Sequence, residues 1–358
     1  MKPLNRREAL VAIAGAGSAA LLSPSESRSE STSPRTAMGI VTYAFGIHQK
    51  NNWSGRHQGL TPAMALLEES HRLGAAGIQV ELGPKDVADI AALRLRAERY
   101  QMYIEASLTL PRAATDVDRF EDSVKVAKSA GATVARAVIM PGRRYEQFKS
   151  LDEFRLYEQR GLQALQWAEP VLARHTLRLA IENHKDQRIP EKLETIKRLS
   201  SEYVGICVDL GNSFTLLEEP LETARAFAPY AFTVHFKDQA VRENQTGFWF
   251  ADVALGEGFL DLLALVKVLR QAKPAVHFNL EVITRDPLNV PILTDEYWAT
   301  MPELPARQLA RALRIIKARA FPKPFVEVSH LSPRRQMAFE LRNIQQSLNY
   351  AREQLGLT

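Results

Sequence analysis

From residue 38 onward the chain alternates short apolar runs with longer stretches of helical periodicity, and few folds accommodate that rhythm. The apolar runs are 39–44, 77–82, 102–108, 133–140, 177–182, 204–209, 232–235 and 276–283. Runs of this length without polar alternation fit strands buried on both faces. Between and after them, 62–73, 86–100, 116–129, 151–174, 190–200, 220–227, 260–271 and 305–318 space their apolar residues as helices do. Gly74-Ala75 and Gly131-Ala132 fall between helix and strand, where helix caps are expected. Eight strand–helix units in about 285 residues predict an α/β fold of the (β/α)8 TIM-barrel type. A doubly wound open sheet shares the alternation but carries a glycine-rich phosphate loop after its first strand. Here that strand leads into Phe45-Gly46-Ile47-His48-Gln49-Lys50, which has no such pattern.

Three of the later runs end in an acid or a histidine, Glu182, Asp209 and His235, and in the fourth Glu281 closes the stretch 276–280. Their separations of 27, 26 and 46 residues correspond to one strand–helix unit, a second, and a third enlarged by an insertion. In a barrel of this kind the carboxyl ends of the strands share one rim, where active sites lie, so the four side chains are expected to converge. Three buried carboxylates repel one another unless a cation neutralises them. An ion-pair network through Lys185 and Lys237 could do so in part. Three carboxylates and an imidazole also suit one divalent metal, Mn²⁺ first and Mg²⁺, Co²⁺ or Zn²⁺ as alternatives.

The rest of the composition narrows the classes. A 46% hydrophobic, 24% charged chain of 358 residues can build a large core. The net charge of +5 includes no Lys/Arg block dense enough for a nucleic-acid footprint. Residues 1–37 read as a signal and linker. Asn5-Arg6-Arg7-Glu8-Ala9-Leu10 is similar to a twin-arginine export signal, the apolar stretch 9–22 is too short to span a bilayer, and 23–36 is a polar linker. A periplasmic or otherwise exported protein is therefore expected. The single cysteine, Cys207, lies in an apolar run and reads as a core thiol.

Three segments exceed the barrel unit. Residues 239–258, with Phe248-Trp249-Phe250, and residues 284–304 follow the last two strands on the rim that carries the site, where long loops serve as lids or substrate walls. The extension 321–358 holds an amphipathic helix over 333–355, with Met337, Leu341, Ile344, Leu348, Ala351 and Leu355 on one stripe. It is expected to pack on the barrel, or to join subunits in a homo-oligomer.

The segments Ile181-Glu182-Asn183-His184, Val208-Asp209-Leu210-Gly211-Asn212, Val234-His235-Phe236-Lys237-Asp238 and Asn279-Leu280-Glu281 resemble the xylose isomerase-like barrel superfamily over residues 38–320. That group includes sugar isomerases and epimerases, inosose dehydratases and the endonuclease IV type of repair enzyme. The resemblance implies that Glu182, Asp209, His235 and Glu281 bind one divalent metal, and that Glu182 and Glu281 also act as acid and base. His184, Asn212, Lys237 and Arg242 are the expected substrate-binding residues, and Glu81 and Glu105 are further residues able to face the pocket. Many members carry a histidine where this chain has Asn212, three residues after Asp209.

The expected activity is isomerisation or epimerisation of an unphosphorylated sugar or keto-sugar through an enediolate, without nucleic-acid partners or a membrane span. The alternative is a metal-dependent lyase or dehydratase on a keto-sugar, keto-inositol or 3-keto-glycoside. Endonuclease chemistry is opposed by the eight histidines of the whole chain, too few for a site with several metals. A non-catalytic sugar-binding barrel is opposed by the intact glutamates.

Overall fold

Residue alternation along each apolar run decides the architecture. In β5 (Arg178–Glu182), Leu179 and Ile181 face outward into the core shared with the helices, while Ala180 and Glu182 face the interior. The other barrel strands are β1 (Met38–Val41), β2 (Gly77–Glu81), β3 (Tyr103–Ser107), β4 (Val134–Ala137), β6 (Val204–Asp209), β7 (Ala231–Phe236) and β10 (His277–Leu280). The computed structural model describes residues 33–53, 57–83, 87 and 89–358. Among these, the eight strands close into a parallel barrel in the order β1-β10-β7-β6-β5-β4-β3-β2. Each expected strand and helix has an observed counterpart, with ends moved by a few residues. The twin-arginine segment and most of the linker lie outside the described residues.

The floor of the barrel is filled by side chains rather than open. The Tyr103 ring enters the interior and stacks on His277 with centroids 3.8 Å apart. A Cβ on Gly77 would come within 2.4 Å of that ring, so β2 needs glycine there for the tyrosine to fit. Above this floor the interior is polar, with Gln79, Glu105, Thr233 and Asn279 all buried.

The two rim insertions differ from the expected loops. Residues 239–258 supply most of β8 (Asp238–Asn244) and all of β9 (Gly247–Val253), an antiparallel pair. The second insertion contributes β11 (Leu288–Val290), which pairs with β9 to complete a three-stranded sheet. Strand alternation explains the aromatic triplet. Phe248 and Phe250 are buried in a second core with Phe214, Val290 and Tyr297, while Trp249 between them faces solvent. The two buried phenylalanines thus hold the insertions together.

The helix Pro333–Leu355 forms over the expected range and packs within the chain, burying Ile344, Leu348, Ala351 and Leu355. Its Glu340 carboxylate accepts the backbone N–H of Ile47 at 2.7 Å and of His48 at 3.0 Å. These bonds tie the helix to the segment leaving β1.

Candidate functional site

Parallel pairing brings the four strand-end residues together. Asp209 stands opposite His235 in the β6–β7 register, and Glu182 stands opposite Cys207 in the β5–β6 register. Glu281 follows β10 directly. Glu182, Asp209, His235 and Glu281 each direct one donor atom into a single buried group, with those atoms within 4.8 Å of one another. His235 Nδ1 lies 3.4 Å from Glu182 Oε2 and 3.3 Å from Glu281 Oε2.

Cations balance this charge. The Arg136 guanidinium, from β4, meets Glu182 Oε2 through Nε at 2.7 Å and through its terminal nitrogen. Burial works against the ionised Glu182 carboxyl, but Arg136 and then His235 hold it down at about 2. Lys237 Nζ contacts Asp209 Oδ2 at 2.6 Å and also Glu281 Oε2. Burial opposes charge on Glu281 too, and His235 and Lys237 outweigh it, holding this carboxyl well below its ordinary value. At Asp209 burial prevails over Lys237 and pushes the carboxyl up to about 6. Asp209 Oδ1 accepts the backbone N–H groups of Gly211 (3.0 Å) and Asn212 (2.8 Å), which leaves Oδ2, in contact with the Lys237 ammonium, as the oxygen turned to the group.

The donor set fits a divalent metal. His235 Nδ1 and Asp209 Oδ2 are buried without an oriented hydrogen bond, Asp209 Oδ2 meeting only the Lys237 ammonium. Buried polar atoms are rarely left this way unless an ion or water takes them. A mixed oxygen and nitrogen set without thiolate matches Mn²⁺, Mg²⁺, Co²⁺ or a hydrolytic type of Zn²⁺ site. Cys207 lies beside the group, but burial raises its thiol to about 11, so it stays protonated.

The remaining expected residues divide. Asn212 bridges two elements of the site: its Nδ2 donates to Glu182 Oε1 at 3.2 Å, and its Oδ1 accepts from Lys185 Nζ. His184 is half-buried and donates from Nδ1 to the Gly142 carbonyl at 3.0 Å. Burial and Lys185 bring its pKa to about 4, so the ring is neutral and Nε2 is an acceptor. Lys237 is an ion-pair partner of the acidic group rather than a free hydroxyl ligand. Arg242 is not brought to the group. It is exposed on β8 opposite Trp249, because the insertion there is an extended hairpin that carries residue 242 away from the rim. Glu81 at the end of β2 is exposed and accepts from the Tyr43 hydroxyl at 2.8 Å, and Glu105 lies deeper in the barrel.

Three contributors were not singled out from sequence. Arg136 and Gln79 are polar residues inside apolar runs at inward-facing positions, and that was the available signal. Lys185, noted only as a possible ion-pair partner, is buried with the Asn212 amide oxygen as its hydrogen-bond acceptor and no carboxylate within salt-bridge distance among the described residues.

Residues 67–316 match the family described as xylose isomerase-like TIM barrel. The chain belongs to this family. A curated relative is the 3-oxo-isoapionate decarboxylase of Pectobacterium atrosepticum, 27% identical over 243 residues that cover 65% of this chain and 81% of that protein. An L-ribulose 3-epimerase structure superimposes with a TM-score of 0.55 at 16% identity, covering 89% of this chain and 97% of that one. A xylose isomerase domain protein from Planctomyces limnophilus gives 0.53 at 16% identity, with 80% and 96% covered. At these identities the structural likeness is one of fold. No helix among the described residues is long and apolar enough to cross a membrane.

Proposed function

We propose that this protein is a divalent-metal-dependent isomerase or epimerase of an unphosphorylated sugar or keto-sugar. One observation carries the reading. Glu182 and Glu281 come from well-separated strands and approach the same His235 nitrogen, at 3.4 and 3.3 Å. Two carboxylates flanking one metal-donor set suit proton transfer on opposite faces of a substrate. A bound divalent cation, Mn²⁺ by preference, supplies Lewis acidity that polarises a substrate carbonyl and acidifies the adjacent C–H. Glu182, kept ionised by Arg136, takes that proton. Glu281, held ionised by His235 and Lys237, takes up a proton from water before it delivers one on the other face. Neutral His184 offers Nε2 to a substrate hydroxyl. The Arg6–Arg7 pair supports export, away from the cytoplasm where sugar phosphates concentrate.

A second reading rests on Lys185. Burial, with Lys237 and Arg285 nearby, lowers this ammonium to about 8, and its hydrogen-bond acceptor is a neutral amide. A cation held so suits an acidic substrate, and the curated relative is named for decarboxylating a 3-oxo sugar acid. In that lyase reaction the C–C bond to the carboxylate breaks and carbon dioxide leaves. The electron pair passes to the neighbouring carbonyl, and an acid returns one proton to carbon.

Incubating ketoses with the Mn²⁺-loaded protein in heavy water tests the first reading. Deuterium should enter a carbon next to the carbonyl. No exchange in any ketose overturns it, and carbon dioxide release from a 3-oxo sugar acid without ketose exchange selects the second.

A further inference from the structure

We propose that Gln79 and Glu105 form a positioning relay that holds His235 with its proton on Nε2 and its lone pair on Nδ1, the nitrogen that faces the carboxylates. The inference deepens the metal-dependent reading and rests on it. Gln79 and Glu105 are direct partners in the β2–β3 pairing and point into the barrel below the acidic group. Both are buried, at 0% and 1% exposure.

Glu105 decides the arrangement. Its carboxylate accepts from Thr233 Oγ1 at 2.7 Å, Asn279 Nδ2 at 3.0 Å and Gln79 Nε2 at 3.0 Å, and its other oxygen meets His277 Nδ1 at 2.8 Å. A carboxylate ringed by donors has no proton to offer, so it accepts only the amide nitrogen of Gln79. The opposite orientation would set an amide oxygen against a carboxylate oxygen. With Nε2 committed to Glu105, Gln79 Oε1 must face His235, and it lies 2.6 Å from Nε2. An acceptor at that distance requires the proton on Nε2. Nδ1 is then the ring atom able to donate a lone pair, and it is the one left without a hydrogen bond. Partners beyond a metal's own ligands commonly set ring tautomer in this manner, and losing one weakens metal affinity about 10–100-fold. The usual partner is a carboxylate or a backbone carbonyl. Here an amide stands in, its orientation fixed by a carboxylate one step further from the site.

Mn²⁺ titration calorimetry on the full chain tests the relay. Gln79→Leu should weaken binding about 10–100-fold while circular dichroism shows a folded barrel. The double variant Gln79→Glu/Glu105→Gln exchanges the two groups. The carboxylate introduced on β2 would accept from His235. The amide introduced on β3 would donate to that carboxylate while accepting from Thr233 or Asn279. Affinity should return to within a few-fold of wild type. Undiminished Mn²⁺ affinity in Gln79→Leu, or a double variant as weak as Gln79→Leu, overturns the proposal. If the wild type binds no divalent ion, the metal reading fails separately. The relay is then judged by ¹⁵N shifts of His235 at a pH high enough to neutralise the ring. A protonated Nε2 in wild type and loss of that preference in Gln79→Leu support it, and the same tautomer in both refutes it.

Discussion

Asn212 donates from Nδ2 to Glu182 Oε1 across 3.2 Å, on the oxygen that Arg136 leaves free. The proposed base is thereby held from both ends, and the same amide passes its oxygen to Lys185. A histidine could keep at most part of this double connection. Asn212→Leu removes both bonds and leaves a buried ammonium without an acceptor. The expected outcome is a loss of about 2 kcal/mol or more in urea unfolding and at least a tenfold fall in solvent deuterium exchange. Exchange at the wild-type rate would show that the bridge does not position Glu182.

Arg136 contributes differently to stability and to chemistry. Arg136→Met leaves the Glu182 carboxylate buried without its main counter-charge, which should lower the stability of the metal-free protein by about 3–5 kcal/mol. Mn²⁺ would partly replace the lost cation. The rise in melting temperature on adding Mn²⁺ should therefore be larger in the variant than in wild type. Equal rises would indicate that the ion does not sit against Glu182.

The barrel and its acidic group were legible in the chain for one reason: strand ends recur at the interval of a strand–helix unit, and parallel pairing converts that interval into proximity. The partners of the group were harder to read. Arg136, Gln79 and Lys185 lie on three different strands or strand ends, and their contacts depend on barrel register, which no local pattern encodes. Arg242 failed for a related reason. It was expected from the family resemblance, whereas pairing of β8 with β9 places it opposite Trp249 on an exposed hairpin. The aromatic triplet was visible as an oddity, but only the alternation of an extended strand shows that Phe248 and Phe250 face a core of their own.

Removing divalent ions should abolish activity and reduce stability together. Chelation leaves Glu182, Asp209 and Glu281 to be neutralised by Arg136, Lys237 and His235, whose Nδ1 lone pair takes a proton once no metal occupies it. Ketose exchange should fall to background after dialysis against a chelator and return with Mn²⁺. At an ion concentration about 100 times the dissociation constant, the folded state gains roughly 2.7 kcal/mol, visible as a higher melting temperature. Activity that persists through exhaustive chelation would contradict the metal assignment.

Glu218 offers a pH test outside the site. Its two carboxylate oxygens accept the Ile189 backbone N–H, each at 3.0 Å, and Arg188 stands 3.5 Å away. Burial nevertheless prevails over Arg188 and raises the carboxyl to about 7, against roughly 4.3 for a free glutamate. The folded protein therefore holds this proton more tightly than the unfolded chain. Between these two values the folded state carries the extra proton, so the group's contribution to stability falls as pH rises through that window and stays low above it. Glu218→Gln keeps an acceptor for Ile189 and removes the titration. Relative to wild type, the variant should gain stability between pH 5 and pH 8, by on the order of 3 kcal/mol at most, measured by urea unfolding of the metal-free protein. A difference that does not change with pH would mean that Glu218 stays ionised throughout, held by Arg188 and the Ile189 amide.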